Sequence, residues 1–322
     1  TLIYDPDITP DDFAELAIKT ALACANPAFA YRPAYSADFE QRPFGICSCY
    51  NGLPIGGGAY TLSRLRLNKI ADQSDTVEDF FEKHLPHAVD TLCKFMEAKI
   101  RFLVEETPFF STHFLVEEGF VRKENFIGLF GMVGLCECVN RLMELQGKKG
   151  RFGPDEEANQ LGVKIMDALK ARVEKFRSKY SEDWNNRFKL HAQVGASGDE
   201  GTSPGARIAI GEEIPLYDHL RQAGLFHKYF PTGVGDIFPF DSTSSKNPAA
   251  ILDVFKGAFK VGVRYISTYS ADSDVVRVTG YLVKKSDIAA YAEGKQVVNE
   301  TVRGSYNSKE YEATLHRKVR SI

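Results

Sequence analysis

Apolar residues recur at helical spacing in five stretches of the chain, and short runs of strand character lie between them. That alternation predicts an α/β fold. Thr1-Leu2-Ile3-Tyr4 reads as a strand. Thr9-Pro10-Asp11-Asp12 reads as a helix start, with a hydroxyl cap, proline at the first helical position and acids in the first turn. The stripe that follows, Phe13, Leu16, Ala17, Thr20, Ala21 and Cys24, is expected to pack on a core. A second helix is expected from near Asp75 through Phe80 and Phe81, with a Val89, Leu92, Phe95, Met96 face, toward Phe102. A third covers Val139 to Leu145, with Gly150 just beyond it. Pro154-Asp155-Glu156-Glu157 opens a fourth, whose apolar positions Leu161, Ile165, Leu169, Val173 and Phe176 run toward Tyr180. A fifth starts at Asn247-Pro248 and ends near Gly257 or a little later. Strand character is clearest in Arg264 to Thr268 and Val275 to Val278.

No repeat of fixed period interrupts this order, but residues 195–211 are rich in Gly, Ser and Pro and read as one loop, a candidate pocket wall. At 322 residues the chain can bury one large core or two, and no sequence feature forces a split. A composition of 43% hydrophobic and 26% charged residues sets aside disordered and fibrous classes. A net charge of -3 gives no electrostatic reason to expect a nucleic-acid partner. No apolar run reaches the roughly 18 to 20 residues of a membrane span. Thr1 is followed by a strand rather than by the basic and apolar regions of a signal peptide, so the chain reads as cytoplasmic and as a piece of a longer protein. The six cysteines, at 24, 47, 49, 93, 136 and 138, lack the spacing of a disulfide framework and are expected to be reduced.

The most specific signal is Arg277-Val278-Thr279-Gly280-Tyr281 near the C-terminus. A lone glycine in the run Val275 to Val283 would ordinarily be a strand bulge. These five residues, however, resemble the glycyl radical motif, Arg-Val-(Ser or Thr)-Gly-Tyr, which also lies near the C-terminus in that superfamily. Glycine suits radical storage because its Cα carries two hydrogens and no Cβ, so the radical left by losing one can flatten and delocalise into both flanking amides. The resemblance makes Gly280 the stored, modified residue.

A stored glycyl radical needs a thiol partner, since an S–H bond is close enough in strength for hydrogen exchange. Gly45-Ile46-Cys47-Ser48-Cys49-Tyr50-Asn51-Gly52-Leu53-Pro54 reads as a loop, followed by an apolar segment from Tyr60 to Leu67, and it offers two thiols. The stretch from Gly45 through Gly56-Gly57-Gly58 resembles the YjjI-type family of glycyl radical enzymes, whose pattern centres on Ser-Cys-Tyr-Asn. That resemblance favours Cys49 over Cys47 as the thiyl residue. Cys136-Glu137-Cys138 is the rival pair. On a helix its thiols would point to nearly opposite faces, and two Cys-x-Cys pairs lack the common zinc spacing, so no metal site is expected. Gly56-Gly57-Gly58 lacks the Lys-(Ser or Thr) of a phosphate loop and reads as close backbone packing.

Thr1 to Pro10, Gly131 to Asn140, Leu190-His191-Ala192-Gln193 and Thr202-Ser203-Pro204-Gly205-Ala206-Arg207 also resemble this family, so the likeness spans the whole chain. It implies a ten-stranded α/β glycyl radical barrel with the Cys49 and Gly280 loops meeting inside. The whole of 1–322 is then one catalytic domain that lacks an N-terminal segment, and its glycyl radical region is about 255–322. It implies an oxygen-sensitive enzyme that abstracts hydrogen from a small-molecule substrate, with no permanently bound cofactor. A radical S-adenosylmethionine iron-sulfur activating enzyme would be a partner, and a homodimer is allowed. His191, Gln193, Glu200, Thr202 and Arg207 are candidate substrate contacts through directed hydrogen bonds, with loop and cap bonding as the alternative role for each. The family resembles the anaerobic ribonucleotide reductases, but no Cys-x-x-Cys pair lies near Gly280, which leaves nucleotide reduction as a second reading. A catalytically idle binding protein that kept the fold is a third.

Overall fold

The computed structural model describes residues 1–194, 201–278, 280–298 and 313–320. The strands in chain order are β1 (Leu2–Tyr4), β2 (Phe29–Tyr31), β3 (Phe44–Cys47), β4 (Asn51–Pro54), β5 (Gly58–Arg66) and β6 (Phe126–Val133). They continue with β7 (Lys189–Ala192), β8 (Asp236–Ile237), β9 (Tyr265–Ser267), β10 (Val275–Arg277) and β11 (Leu282–Lys284). The principal helices are α1 (Asp11–Cys24), α2 (Leu85–Arg101), α3 (Leu135–Leu145), α4 (Glu156–Lys175), α5 (Leu216–His227) and α6 (Pro248–Lys260). Two compact units share them. One comprises Thr1–Pro33, Val194–Lys228 and Gly235–Ile322; the other comprises Ala34–Gln193 and Tyr229–Val234.

The first unit is built on a four-stranded sheet in the order β1-β2-β9-β8, parallel at both outer pairings and antiparallel between β2 and β9. Tyr4, Phe29, Phe238, Phe240 and Ile266 form a core with α1, α5 and α6. Phe255 meets Phe29 edge-on at 5.1 Å, and Phe259 stacks on Tyr31 at 4.7 Å. Each buried side chain of this size contributes roughly 1.5–3 kcal/mol. The start of α6 follows the sequence, with the Asn247 side chain accepting from the Ala250 amide at 3.2 Å.

At α1 the expected face is wrong. Ala14, Ile18, Ala21 and Leu22 are the buried positions, whereas Phe13 and Leu16 are exposed. Two apolar stripes overlap on this helix, and the one at Ala14, Ile18, Ala21 and Leu22, spaced i, i+4, i+7 and i+8, faces the core. Thr9 does not cap the helix either: its Oγ1 accepts from the Asp5 amide at 3.1 Å.

The second unit holds a parallel sheet in the order β5-β6-β7. Its central strand, β6, is buried along its whole length, as a parallel strand covered on both faces must be. Helix α2 follows β5, and α3 and α4 lead from β6 to β7. The helical stretch around α2 starts at Thr76, whose hydroxyl accepts from the Asp79 amide at 3.0 Å. It is widened by π-turns at Phe80–His84 and Phe102–Glu106. The extra residue of a π-turn rotates the face that follows. The buried positions are Phe80, Leu85, Val89, Cys93, Met96 and Ile100, while the expected Phe95 is exposed and Leu92 half-buried. Helix α3 begins at Leu135, four residues ahead of the expected Val139. Helix α4 stops at Lys175, leaving Phe176 extended. The triple glycine serves close packing: a Cβ on Gly57 would lie 2.3 Å from the Asn125 carbonyl oxygen.

Candidate functional site

Gly280 belongs to the first unit, in the turn between β10 and β11, which pair antiparallel with Arg277 opposite Leu282. The sequence alternatives there were an ordinary strand with a bulge glycine or the radical motif; the chain forms a hairpin with Gly280 in its turn. Val276, Val278 and Val283 are buried against Ala25, Ile237, Tyr269 and Ile288, which fixes the base of the hairpin. Gly280 is half-buried and Tyr281 exposed. Thr279 lies outside the described residues.

The motif arginine is spent on backbone. Arg277 Nη1 donates to the Gly280 carbonyl at 3.3 Å, and Nη2 donates to the Ala25 carbonyl at 3.0 Å, at the C-terminal end of α1. A second arginine, which no sequence signal singled out, reaches the hairpin from the chain end. Arg317 donates from Nη1 to the Arg277 carbonyl at 2.7 Å and from Nη2 to the Val278 carbonyl at 3.0 Å. Its Nε faces Glu213 Oε1 at 3.0 Å.

Further polar burial in this unit surrounds Asp236. Its Oδ2 lies 2.9 Å from His219 Nε2, and Arg320 Nη2 lies 3.1 Å from His219 Nδ1. Burial alone would raise the Asp236 carboxyl, but His219 and Arg207 hold it below the ordinary carboxylate range. Of the candidate substrate contacts, Thr202 and Arg207 lie buried in this unit, with Arg207 Nε donating to the Gly235 carbonyl at 2.6 Å. Glu200 lies outside the described residues.

The cysteine segment belongs to the second unit and is a β-hairpin rather than an irregular loop. β3 and β4 pair antiparallel, closing with Cys47 opposite Asn51. The tip is Ser48, Cys49 and Tyr50, with Ser48 in the left-handed region at φ 57°. The pairing turns the two thiols to different surroundings: Cys47, at the end of β3, is exposed and Cys49 half-buried.

Tyr50 anchors the tip. Its ring is buried beside the His191 ring, with centroids 5.7 Å apart, and its hydroxyl donates to the Ala192 carbonyl at 2.6 Å. The Gly52 amide donates to the Thr232 carbonyl at 2.9 Å. Gly233 lies against this contact at φ 143°, and a Cβ there would stand 2.5 Å from the Tyr50 carbonyl oxygen. Neither Tyr50 nor Gly233 was a sequence candidate; Pro231-Thr232-Gly233 is a turn signal whose partners cannot be read along the chain.

His191 is fully buried, with Nδ1 3.0 Å from the Thr232 carbonyl. Burial lowers its pKa to about 4, the carbonyl contact opposing that shift. The ring is therefore neutral near pH 7 and its Nδ1 hydrogen is donated to Thr232. Gln193 follows two residues later, its amide donating to the Met132 carbonyl at 2.9 Å. Its Oε1 is buried with no hydrogen-bond partner among the described residues. The structure thus gathers Cys49, Tyr50, His191 and Gln193 in one unit, and does not add Thr202 or Arg207 to that unit.

The rival thiols are poor candidates for chemistry. Cys136 and Cys138 are both buried in α3, and burial pushes the Cys138 thiol well up. Among the described residues no group of three or more His, Cys, Asp and Glu could hold a metal ion, and no helix is long and apolar enough to cross a membrane.

The fold is shared with glycyl radical enzymes. An anaerobic ribonucleotide reductase superposes with a TM-score of 0.71 at 16% identity, over 100% of this chain and 54% of the other. A glycyl radical enzyme from Archaeoglobus fulgidus gives 0.71 at 12% identity, over 97% and 52%. The glycerol-bound B12-independent glycerol dehydratase from Clostridium butyricum gives 0.69 at 13%, over 98% and 52%.

Within that class, residues 1–320 match the family model described as glycyl radical enzyme YjjI-like, and the chain belongs to this family. Two relatives are similar along most of the chain. An uncharacterized protein of Haemophilus influenzae is 42% identical over 94% of this chain, and the uncharacterized protein YjjI of Escherichia coli is 41% identical over 92%. The chain spans 59% and 57% of the lengths of these two relatives.

Proposed function

We propose that Gly280 stores a glycyl radical and that Cys49 is the thiol through which it acts on a small-molecule substrate. The observation that carries this reading is the sequence Arg277-Val278-Thr279-Gly280-Tyr281 at a hairpin turn, in a chain of a glycyl radical family. A separate S-adenosylmethionine iron-sulfur activase removes one hydrogen atom from the Gly280 Cα, its own radical being the acceptor. The Gly280 carbon then takes the hydrogen of the Cys49 thiol, and the sulfur radical so formed takes one from a substrate C–H bond. After the substrate radical rearranges or eliminates, the product radical recovers a hydrogen from Cys49, and the sulfur recovers one from Gly280. Spin and hydrogen both return to their starting places.

Cys49 is preferred to Cys47 because it is the half-buried thiol at the hairpin tip and fits Ser-Cys-Tyr-Asn. A sheltered thiyl is less exposed to stray hydrogen donors and oxygen. His191 and Gln193 are proposed substrate contacts in the same unit, a neutral ring and an unpartnered amide oxygen suited to hydroxyl or carbonyl groups. Thr202, Arg207 and Glu200 are proposed contacts on residue type alone.

The proposed architecture is the ten-stranded barrel, with 1–322 as one catalytic domain and a glycyl radical region of about 255–322. The proposed setting is an anaerobic cytoplasm, with a homodimer as the proposed assembly. Nucleotide reduction is a second reading, favoured by the fold shared with an anaerobic ribonucleotide reductase.

The test is exposure of the activated protein to air. Oxygen adds to a carbon radical and the peroxyl product fragments the backbone, so mass spectrometry should find a C-terminal piece beginning near Tyr281. An intact chain after proven radical formation would remove Gly280 as the storage site.

A further inference from the structure

The β10–β11 hairpin is a two-stranded sheet, an arrangement marginal by itself in water. Beyond the buried valines at its base, its motif strand is held by the Arg317 side chain, which lies in the stretch 313–320. That stretch is docked on the backbone around Phe240: the Arg320 amide donates to the Pro239 carbonyl at 2.8 Å, and its carbonyl accepts from the Asp241 amide at 2.7 Å. The guanidinium is buried and spreads its donors over two successive carbonyls, those of Arg277 and Val278, with the Tyr269 hydroxyl 3.5 Å from Nη1. Its Nε is held by Glu213, whose other oxygen accepts from the Gly211 amide at 2.8 Å. A planar cation with donors on three nitrogens can bond two carbonyls and a carboxylate at once; a lysine ammonium is a point and cannot reproduce that fork.

We propose that Arg317, oriented by Glu213, is a positioning residue that clasps the backbone leading into Gly280 and so fixes the radical carbon. The proposal rests on the glycyl radical reading for its consequence, but not for its geometry. The two carbonyls it holds lie three and two residues before Gly280, and Arg277 extends the grip to the Gly280 carbonyl itself. Radical storage requires such a grip. A turn that samples other positions carries the unpaired electron to hydrogen donors other than its intended thiol, and misplacement by about 1 Å is enough to cost roughly 10²-fold in a positioned reaction.

Three variants separate this role from general stability. Arg317→Lys keeps a cation opposite Glu213 and loses the fork. The double variant Arg317→Met with Glu213→Gln removes both buried charges together, so neither is left unpaired. Glu213→Gln alone leaves the fork but loosens its orientation. Amide hydrogen exchange, measured on the unactivated protein, should rise in the segment 275–284 by about tenfold or more for Arg317→Lys and the double variant, the scale of losing a hydrogen bond to a charged group. Exchange in β1, β2 and β9 should stay at wild-type rates, and Glu213→Gln should fall between. After activation under strict anaerobiosis, the spin signal of the same two variants should decay at least tenfold faster than wild type.

Wild-type hairpin exchange in both variants overturns the clasp. Faster exchange with an unchanged spin lifetime overturns its positioning role. Failure of the wild-type protein to develop any spin signal would instead sink the glycyl radical reading, and the exchange data would still decide the clasp.

Discussion

Gly233→Ala tests how the thiol is presented. The added Cβ would stand 2.5 Å from the Tyr50 carbonyl oxygen, 2.8 Å from His191 Cε1 and 3.0 Å from His191 Nδ1. None of these neighbours is the far end of a flexible side chain. One is backbone at the cysteine hairpin tip, and the other is a buried ring held on the Thr232 carbonyl. Position 233 also has φ 143°, where an L-residue is strained. Backbone strain of roughly 1–3 kcal/mol and overpacking of roughly 1–3 kcal/mol together predict a loss of about 2–6 kcal/mol. For a unit of this size a loss of about 4 kcal/mol lowers Tm by roughly 8–16 °C. Relief comes most easily by moving the tip, so Cys49 alkylation, followed by peptide mass spectrometry, should accelerate while Cys93 stays protected. Gly257→Ala is the control. It lies in α6, its Cβ would meet nothing within 4 Å, and it should be neutral or stabilising by about 0.5–1 kcal/mol. A Gly233→Ala protein with wild-type Tm and wild-type Cys49 reactivity would refute the pinning of the hairpin by this turn.

Cys49→Ala should accept the glycyl radical from the activase yet show no hydrogen abstraction, whereas Cys47→Ala should keep activity; metabolite consumption after activation distinguishes them, and turnover by Cys49→Ala would remove the thiyl assignment. Stability should fall as pH is lowered from about 6.5 to about 4. His191 and His227 are both held by burial at about 4 in the folded chain, so the unfolded chain binds more protons across that window. Each contributes a slope that sums to roughly 3 kcal/mol, and urea midpoints of His191→Gln should lose about half of the combined effect. Tyr50→Phe leaves the Ala192 carbonyl without its 2.6 Å donor and should cost about 1–2 kcal/mol, read from the same urea titrations.

Much of this was legible along the chain because it is local. Pro248 after Asn247 starts α6, and the acids at Glu156 and Glu157 mark the start of α4. The Arg277 to Tyr281 motif lay in plain sequence. Choosing a helix face was harder: on α1 Phe13, Leu16 and Ala17 follow helical spacing as Ala14, Ile18, Ala21 and Leu22 do, and only the partners in the core select the second set. At α2 the π-turns shift the helical phase, which a fixed 3.6-residue period does not follow. The cysteine segment looked like a loop because its glycines and Pro54 are turn-forming, although they alternate with residues that pair across a hairpin. Tyr50 with Ala192, Gly233 with Tyr50 and Arg317 with Val278 are long-range contacts, and no local pattern encodes such partners.

The central claim is that Gly280 carries an unpaired electron, and anaerobic electron spin resonance after incubation with the activase tests it most directly. Loss of one hydrogen from glycine leaves a single hydrogen on the spin-bearing carbon, so the account predicts a doublet. The doublet should collapse when the protein is grown with α-deuterated glycine, and it should be absent from Gly280→Ala. An undiminished doublet in Gly280→Ala, or no signal in wild-type protein under conditions where the activase is demonstrably active, would contradict it.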